Sequence, residues 1–150
     1  MILKSDGHIV HGLGYVALYA AYMEEAIDEC VELFKHKDDK APKSLDQWPI
    51  SKKLGYIRER LVLLGDLPPE LAIFPNLLSH CDDLLKQRNE VIHGRIYSNY
   101  QGKNDELRPS RKSGILREIN ADELYELAQK LFDTLTPLNK ASFYSLRRIL

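Results

Sequence analysis

"LLSHCDDLLKQRNEVIHGRIY", Leu77 to Tyr97, carries the pattern on which the fold turns. Leu78, Cys81, Leu85, position 88 and Ile92 step by three and four residues. Leu77, Cys81, Leu84, position 88 and Val91 give an overlapping stripe. That period belongs to a helix with one apolar face. Both stripes are centred on Arg88, whose guanidinium keeps its charge at neutral pH. Burying that charge unpaired is costly, so it needs an acidic partner such as Glu24 or Glu25, a water-filled groove, or a second subunit. Asn89 and His93 are four residues apart and share a face. Gly94 can take up the left-handed geometry that ends a helix. The helix is therefore expected from about Asn76, limited or kinked at its start by Pro75, to about His93.

Upstream lies a longer seam. Ile9, Leu13, Val16, Ala20, Met23, Ile27, Cys30 and Phe34 alternate steps of four and three. Glu24, Glu25, Asp28, Glu29 and Glu32 occupy its other faces and read as a solvated acidic surface. After a charged loop, Ser51 is placed to cap a second helix with the stripe Leu54, Ile57, Leu61 and Leu64, and Gly65 to end it. Pro68 and Pro69 suit a helix start. Beyond Gly94 the period fails, and two short strands are expected near Ile96–Tyr100 and Ile115–Ile119. Asn120 with Glu123 resembles a capping box that opens a last helix with the stripe Leu124, Leu127, Leu131 and Leu135. Thr136-Pro137 either kinks that helix or caps a final one ending near Leu150. The fold class expected is all-α. It is an antiparallel bundle of four to five helices with a short irregular or β-hairpin insert after the third long helix.

Length and composition narrow the function. The 150 residues fit one domain, residues 1–150, and 44% hydrophobic content supports a buried core. A formal net charge of −1 gives no global attraction to nucleic acid or membrane. Two isolated cysteines, Cys30 and Cys81, fit a reducing, cytoplasmic location and no structural zinc. No apolar run approaches a membrane span or a signal peptide. Positive charge is nonetheless concentrated locally. From Lys86 to Arg117 there are eight basic residues against three acidic ones, a local excess of five. Lys86, Arg95, Arg108, Arg111 and Lys112 are candidates to hold an anion, and Tyr97 and Tyr100 offer faces on which a base could stack. A solvated hairpin is the plainer reading of the same segment. A histidine at position 93 suits proton transfer, and also a simple helix-capping role.

Arg88-Asn89-Glu90-Val91-Ile92-His93 resembles the signature of the HEPN superfamily: an arginine, four to six residues, then a histidine near the end of the third helix of a small bundle. The polar residue after the arginine matches as Asn89. The wider RNEVIHG, preceded by a long amphipathic helix, is similar to a form common in bacterial HEPN-like proteins. The resemblance implies a metal-independent endoribonuclease with no cofactor, working as a homodimer whose motifs meet across an interface of first and third helices. His93 would be the general acid/base, Arg88 would stabilise charge on phosphate, and Asn89 would orient either. Cleavage of single-stranded RNA would leave a 2′,3′-cyclic phosphate. Implied partners are RNA and an antitoxin protein, in a toxin–antitoxin or phage-defence setting. Some family members carry a tyrosine two residues after the histidine that is modified with AMP. Here Arg95 stands there. Other HEPN domains are non-catalytic dimerisation or ligand- and nucleotide-binding modules, which is the alternative function.

Overall fold

A computed structural model describes residues 1–98, 105–109 and 115–150. The chain is mostly helical, with four long helices and a small three-stranded antiparallel sheet after the third. The helices are α1 (Ile9–Lys35), α2 (Ile50–Leu63), α3 (Phe74–His93) and α4 (Ala121–Asn139). A π-helical segment, Lys140–Leu146, and a last turn, α5 (Arg147–Ile149), follow α4. No helix among the described residues is long and apolar enough to cross a membrane. The chain divides into two compact units, one of residues 1–20 and 83–132, the other of residues 21–82 and 133–150.

In the first unit, the start of α1 packs on the start of α4. Val16, Tyr19 and Ala20 are buried, as are Leu124, Ala128 and Leu131. A Cβ on Gly12 would stand 2.8 Å from that of Leu124, so only glycine lets the two helices approach this closely. Tyr15 packs on Tyr125 and Tyr19 on Phe132. The paired residues rise together along both helices, so α1 and α4 run parallel here, whereas a strict up-and-down succession of four helices would oppose them. The N-terminal segment runs the other way. The Leu3 amide donates to Oε1 of Gln129, and the Tyr125 hydroxyl donates to Asp6. The reversal into α1 falls at Gly7, whose φ of +78° favours glycine.

The insert is a sheet rather than a lone hairpin. Strands β1 (Arg95–Tyr97), β2 (Asp105–Arg108) and β3 (Arg117–Ile119) pair antiparallel in that order. Leu107 and Ile119 point into the core. Asn120 caps α4 as its sequence suggests, its Oδ1 accepting from the Glu123 amide at 2.9 Å. The Glu123 carboxylate pairs with Arg117 of β3 at 2.7 Å, tying the sheet to the helix start.

The second unit holds the remaining seam of α1, with Met23, Ile27 and Cys30 fully buried and Phe34 nearly so. In α2, Leu54, Ile57 and Leu61 are buried, while Leu64 is exposed just past the helix end. Gly65, at φ +78°, ends it as expected. Ser51 does not cap α2. Pro49 occupies that position in an extended conformation, its ring already fixing φ, and the helix begins at Ile50. Pro69 opens a short 3-10 turn, Pro69–Leu71, and Pro75 sits in the first turn of α3, where a missing amide costs nothing. Pro137 lies inside α4 two residues before it ends and does not start a new helix. Burial pushes both the Cys30 and Cys81 thiols up to about 12, so neither is a nucleophile at neutral pH.

Candidate functional site

The site is set by how α3 ends. The Gly94 amide donates to the Glu90 carbonyl at 3.1 Å, completing the last helical turn. The chain then passes straight into β1. Gly94 is not in the left-handed conformation expected of it: among the described residues, only Gly7 and Gly65 have positive φ. Its glycine serves proximity instead. A Cβ there would meet the Glu90 carbonyl oxygen at 2.5 Å, Leu107 Cδ1 at 2.6 Å and the Arg108 carbonyl oxygen at 3.0 Å. The absent side chain lets β2 close against the end of α3.

That closure fixes the register. Arg95 stands opposite Arg108, Ile96 opposite Leu107, and Tyr97 opposite Glu106. Alternation places Leu107 inward, while Arg95, Tyr97 and Arg108 are exposed. The Arg108 guanidinium lies over the Tyr97 ring, 5.8 Å from its centroid. Glu106 and Glu118 also stand opposite each other, so on this face of the sheet charge is segregated, Arg95 and Arg108 nearest α3 and the two glutamates beyond. Like charges placed directly opposite destabilise a strand pair. A face that retains two such guanidinium groups is suited to an anion.

His93, Arg95, Arg108 and Pro109 line one open cavity of about 310 Å³. His93 is exposed at the end of α3. The structure thus brings together three of the residues singled out from sequence, His93, Arg95 and Arg108, with Tyr97 at their side. Arg88 and Asn89 are not among the described residues lining this cavity. Asn89 is exposed one turn before His93, and Lys86 is exposed on the same helix. Arg88 is half-buried, as its place at the centre of two apolar stripes demands. Its Nε atom is buried without a hydrogen bond, although the residue has other interactions within the chain. Tyr100, Arg111 and Lys112 lie outside the described residues.

Pro109 and the facing of Arg95 by Arg108 were not visible as site features in the sequence. Both depend on β2, whose Asp-Glu-Leu-Arg sequence carries one apolar residue and no strand signal. No family model, no curated protein and no solved structure matches the chain.

Proposed function

We propose that the chain is a metal-independent endoribonuclease of HEPN type that acts on single-stranded RNA as a homodimer. The observation that carries this reading is the shared cavity of His93, Arg95 and Arg108, placed directly after the Arg88-x4-His93 motif. The proposal includes a bundle arrangement of the helices, with α1 and α4 its parallel pair. It also includes a seam of α1 and α3 at which two copies bring their motifs together.

The chemistry asks little of the protein. The ribose 2′-oxygen is an internal nucleophile already beside the phosphorus. It attacks, the bond from phosphorus to the 5′-oxygen breaks, and the products are a 2′,3′-cyclic phosphate and a 5′-hydroxyl. One imidazole takes the 2′-hydroxyl proton and another, from the second copy, gives a proton to the departing oxygen. Arg88 offers a planar fork to the charge that builds on the phosphate, and Asn89 holds the imidazole or the phosphate in place. Arg95, Arg108 and Lys86 bind neighbouring phosphates, and Tyr97 stacks a base.

The test is labelled RNA incubated in EDTA. Wild type cleaves RNA and spares DNA, which lacks the nucleophile. His93→Ala loses ~10²–10⁴ in rate with circular dichroism unchanged. Arg88→Lys fails as well, because a point charge does not replace a fork. Equal cleavage by wild type and His93→Ala would place the activity elsewhere. Light scattering that reports a monomer at micromolar concentration would remove the shared site.

A second reading has its own support. The described lining of the cavity includes His93 but neither Arg88 nor Asn89. A dimeric module that holds a nucleotide or other anion without reacting would need no more than this. Binding of RNA without cleavage, across varied sequences, selects it.

A further inference from the structure

The second unit carries a groove that the proposed RNA chemistry does not use. Its floor is the second half of α1 and its wall is the π-helical segment Lys140–Leu146. Two hollows, of about 760 Å³ and about 530 Å³, share Tyr22, Glu25, Glu29 and Phe143, so they adjoin along these side chains as one trough. The trough runs from Tyr22 on α1 to His36, just past the helix end at Lys35. Fourteen helical steps cover about 21 Å, the length of a four-turn helix.

Two features make this more than a solvated helix face. The first is apolar. Beyond Pro137 the π-helical segment buries Ala141, Ser142 and Leu146 and turns its aromatic residues outward, leaving Phe143 46% and Tyr144 70% exposed. Tyr22 faces the same trough at 48% exposure. Three exposed aromatic rings along one groove are anchors of the kind an apolar helix face fills. The second is charge. Asp28 is engaged by Lys53 at 2.6 Å and Glu32 by Lys35 at 3.3 Å. Glu25 and Glu29 make no hydrogen bond or ion pair among the described residues, and they are the two acids common to both hollows. The cationic side of the trough is slight. Arg147 lies 5.9 Å from the Phe143 ring centroid and His36 sits at the far end.

We infer that this trough docks a basic amphipathic helix from a partner protein. Leucine-type side chains on one face of the helix fill the hollows beside Phe143, and lysines or arginines flanking that face meet Glu25 and Glu29. An acidic helix is rejected by the same carboxylates. The inference stands on the second unit alone and holds whether or not the RNA proposal does.

The experiment uses the whole chain and a fluorescein-labelled peptide about 14 residues long. The peptide is built of leucine and lysine with the leucines on one helical face. Anisotropy should report saturable binding that weakens with salt. NMR shift changes should centre on residues 22–36 and 140–147. Glu25→Lys with Glu29→Lys, both on the surface, should weaken binding ~10-fold or more, and Phe143→Ala by a similar factor. A scrambled leucine–lysine peptide without a single apolar face, and a leucine–glutamate peptide, should bind at least ~10-fold more weakly. Equal binding of the scrambled peptide would mean charge alone and overturn the inference. So would unchanged binding by both variants, shift changes mapping elsewhere, or no binding at 100-micromolar peptide.

Discussion

On the sheet face after α3, Arg95 stands opposite Arg108 with Tyr97 beside them. Along the second half of α1, Glu25 and Glu29 stand beside Tyr22 and Phe143. Each surface joins like charges to exposed aromatic rings, and the two carry opposite signs. Their supports differ as well. The arginines sit on three- and four-residue strands that depend on a close approach at Gly94. The glutamates sit on a 27-residue helix whose other face is buried from Val16 to Phe34. A sheet that small holds its geometry only through its packing, whereas the helix would keep its acids in place with the groove empty. The basic face is therefore fragile and tuned by register. The acidic face is robust and tuned by what lies across from it.

The largest expected effect comes from exchanging signs. Arg95→Glu with Arg108→Glu should cost RNA affinity on the order of 10²-fold, since like charge replaces attraction. It should also flatten the salt dependence by about 0.7 in log–log slope for each phosphate no longer neutralised. The leucine–lysine peptide should bind this variant as it binds wild type. Glu25→Lys with Glu29→Lys should show the converse, losing the peptide and keeping RNA. A single variant that lost both ligands, at unchanged circular dichroism, would mean that the two surfaces do not act separately.

Next in size are the glycines, which test the claim of fragility. Gly94→Ala places a methyl group against two backbone oxygens and Leu107. Backbone cannot rotate away as a side chain can, so a loss of ~1–3 kcal/mol is expected, with loss of RNA binding and retention of peptide binding. Gly12→Ala should cost a similar ~1–3 kcal/mol through its clash with Leu124. Gly14→Ala meets nothing within 4 Å and lies on the same helix, so it should stabilise by roughly 0.5–1 kcal/mol. Urea denaturation of the three variants decides the order. If Gly94→Ala were neutral, the hairpin would have to be looser than its packing implies.

These effects also mark where the sequence could be read. The eight positions of the α1 seam are buried or half-buried as their spacing requires, because a helix declares its face through local periodicity. Asn120 announced the start of α4, since a cap acts within four consecutive residues, while the Glu123 carboxylate pairs with Arg117 instead of closing a capping box. The strand β2 was not legible, because only Leu107 of its four residues is buried and its identity comes from its partners. Gly94 invited a conformational explanation, and its real constraint, the approach of Leu107 and Arg108, lies more than ten residues away in sequence. The acids of α1 read as solvent-facing, and Glu25, Asp28, Glu29 and Glu32 are exposed, whereas Glu24 is half-buried. The sequence could not show that Phe143 and Tyr144 stand across a groove from them. Among the residues of the candidate site, His93 was singled out through its motif, and Arg95 and Arg108 through a local excess of charge. Their meeting in one cavity was not.

The smallest effect concerns a carboxylate in the first unit that belongs to neither face. Nδ1 of His11 lies 2.5 Å from Oδ2 of Asp6, and the His8 amide and the Tyr125 hydroxyl donate to Oδ1. The His11 contact foremost, then the amide, hold the Asp6 carboxyl down at about 2, against its usual 3.8. A carboxyl whose folded value is depressed binds protons more weakly folded than unfolded, so its contribution is present above the unfolded value. It is lost as pH falls from about 4 through about 2. The group is exposed, so the loss is local release of residues 1–8 from α4 and not global unfolding. Amide exchange followed by NMR should show the Leu3 amide, which donates to Gln129, losing protection within that window while α1 and α4 keep theirs. Asp6→Asn should abolish the pH dependence there, because the amide cannot titrate. The second unit supplies the control: the Lys53–Asp28 pair, anchored by a buried lysine, sits on helices that should remain protected throughout. Identical acid profiles for wild type and Asp6→Asn would show that the N-terminal segment is held by Gln129 and packing alone.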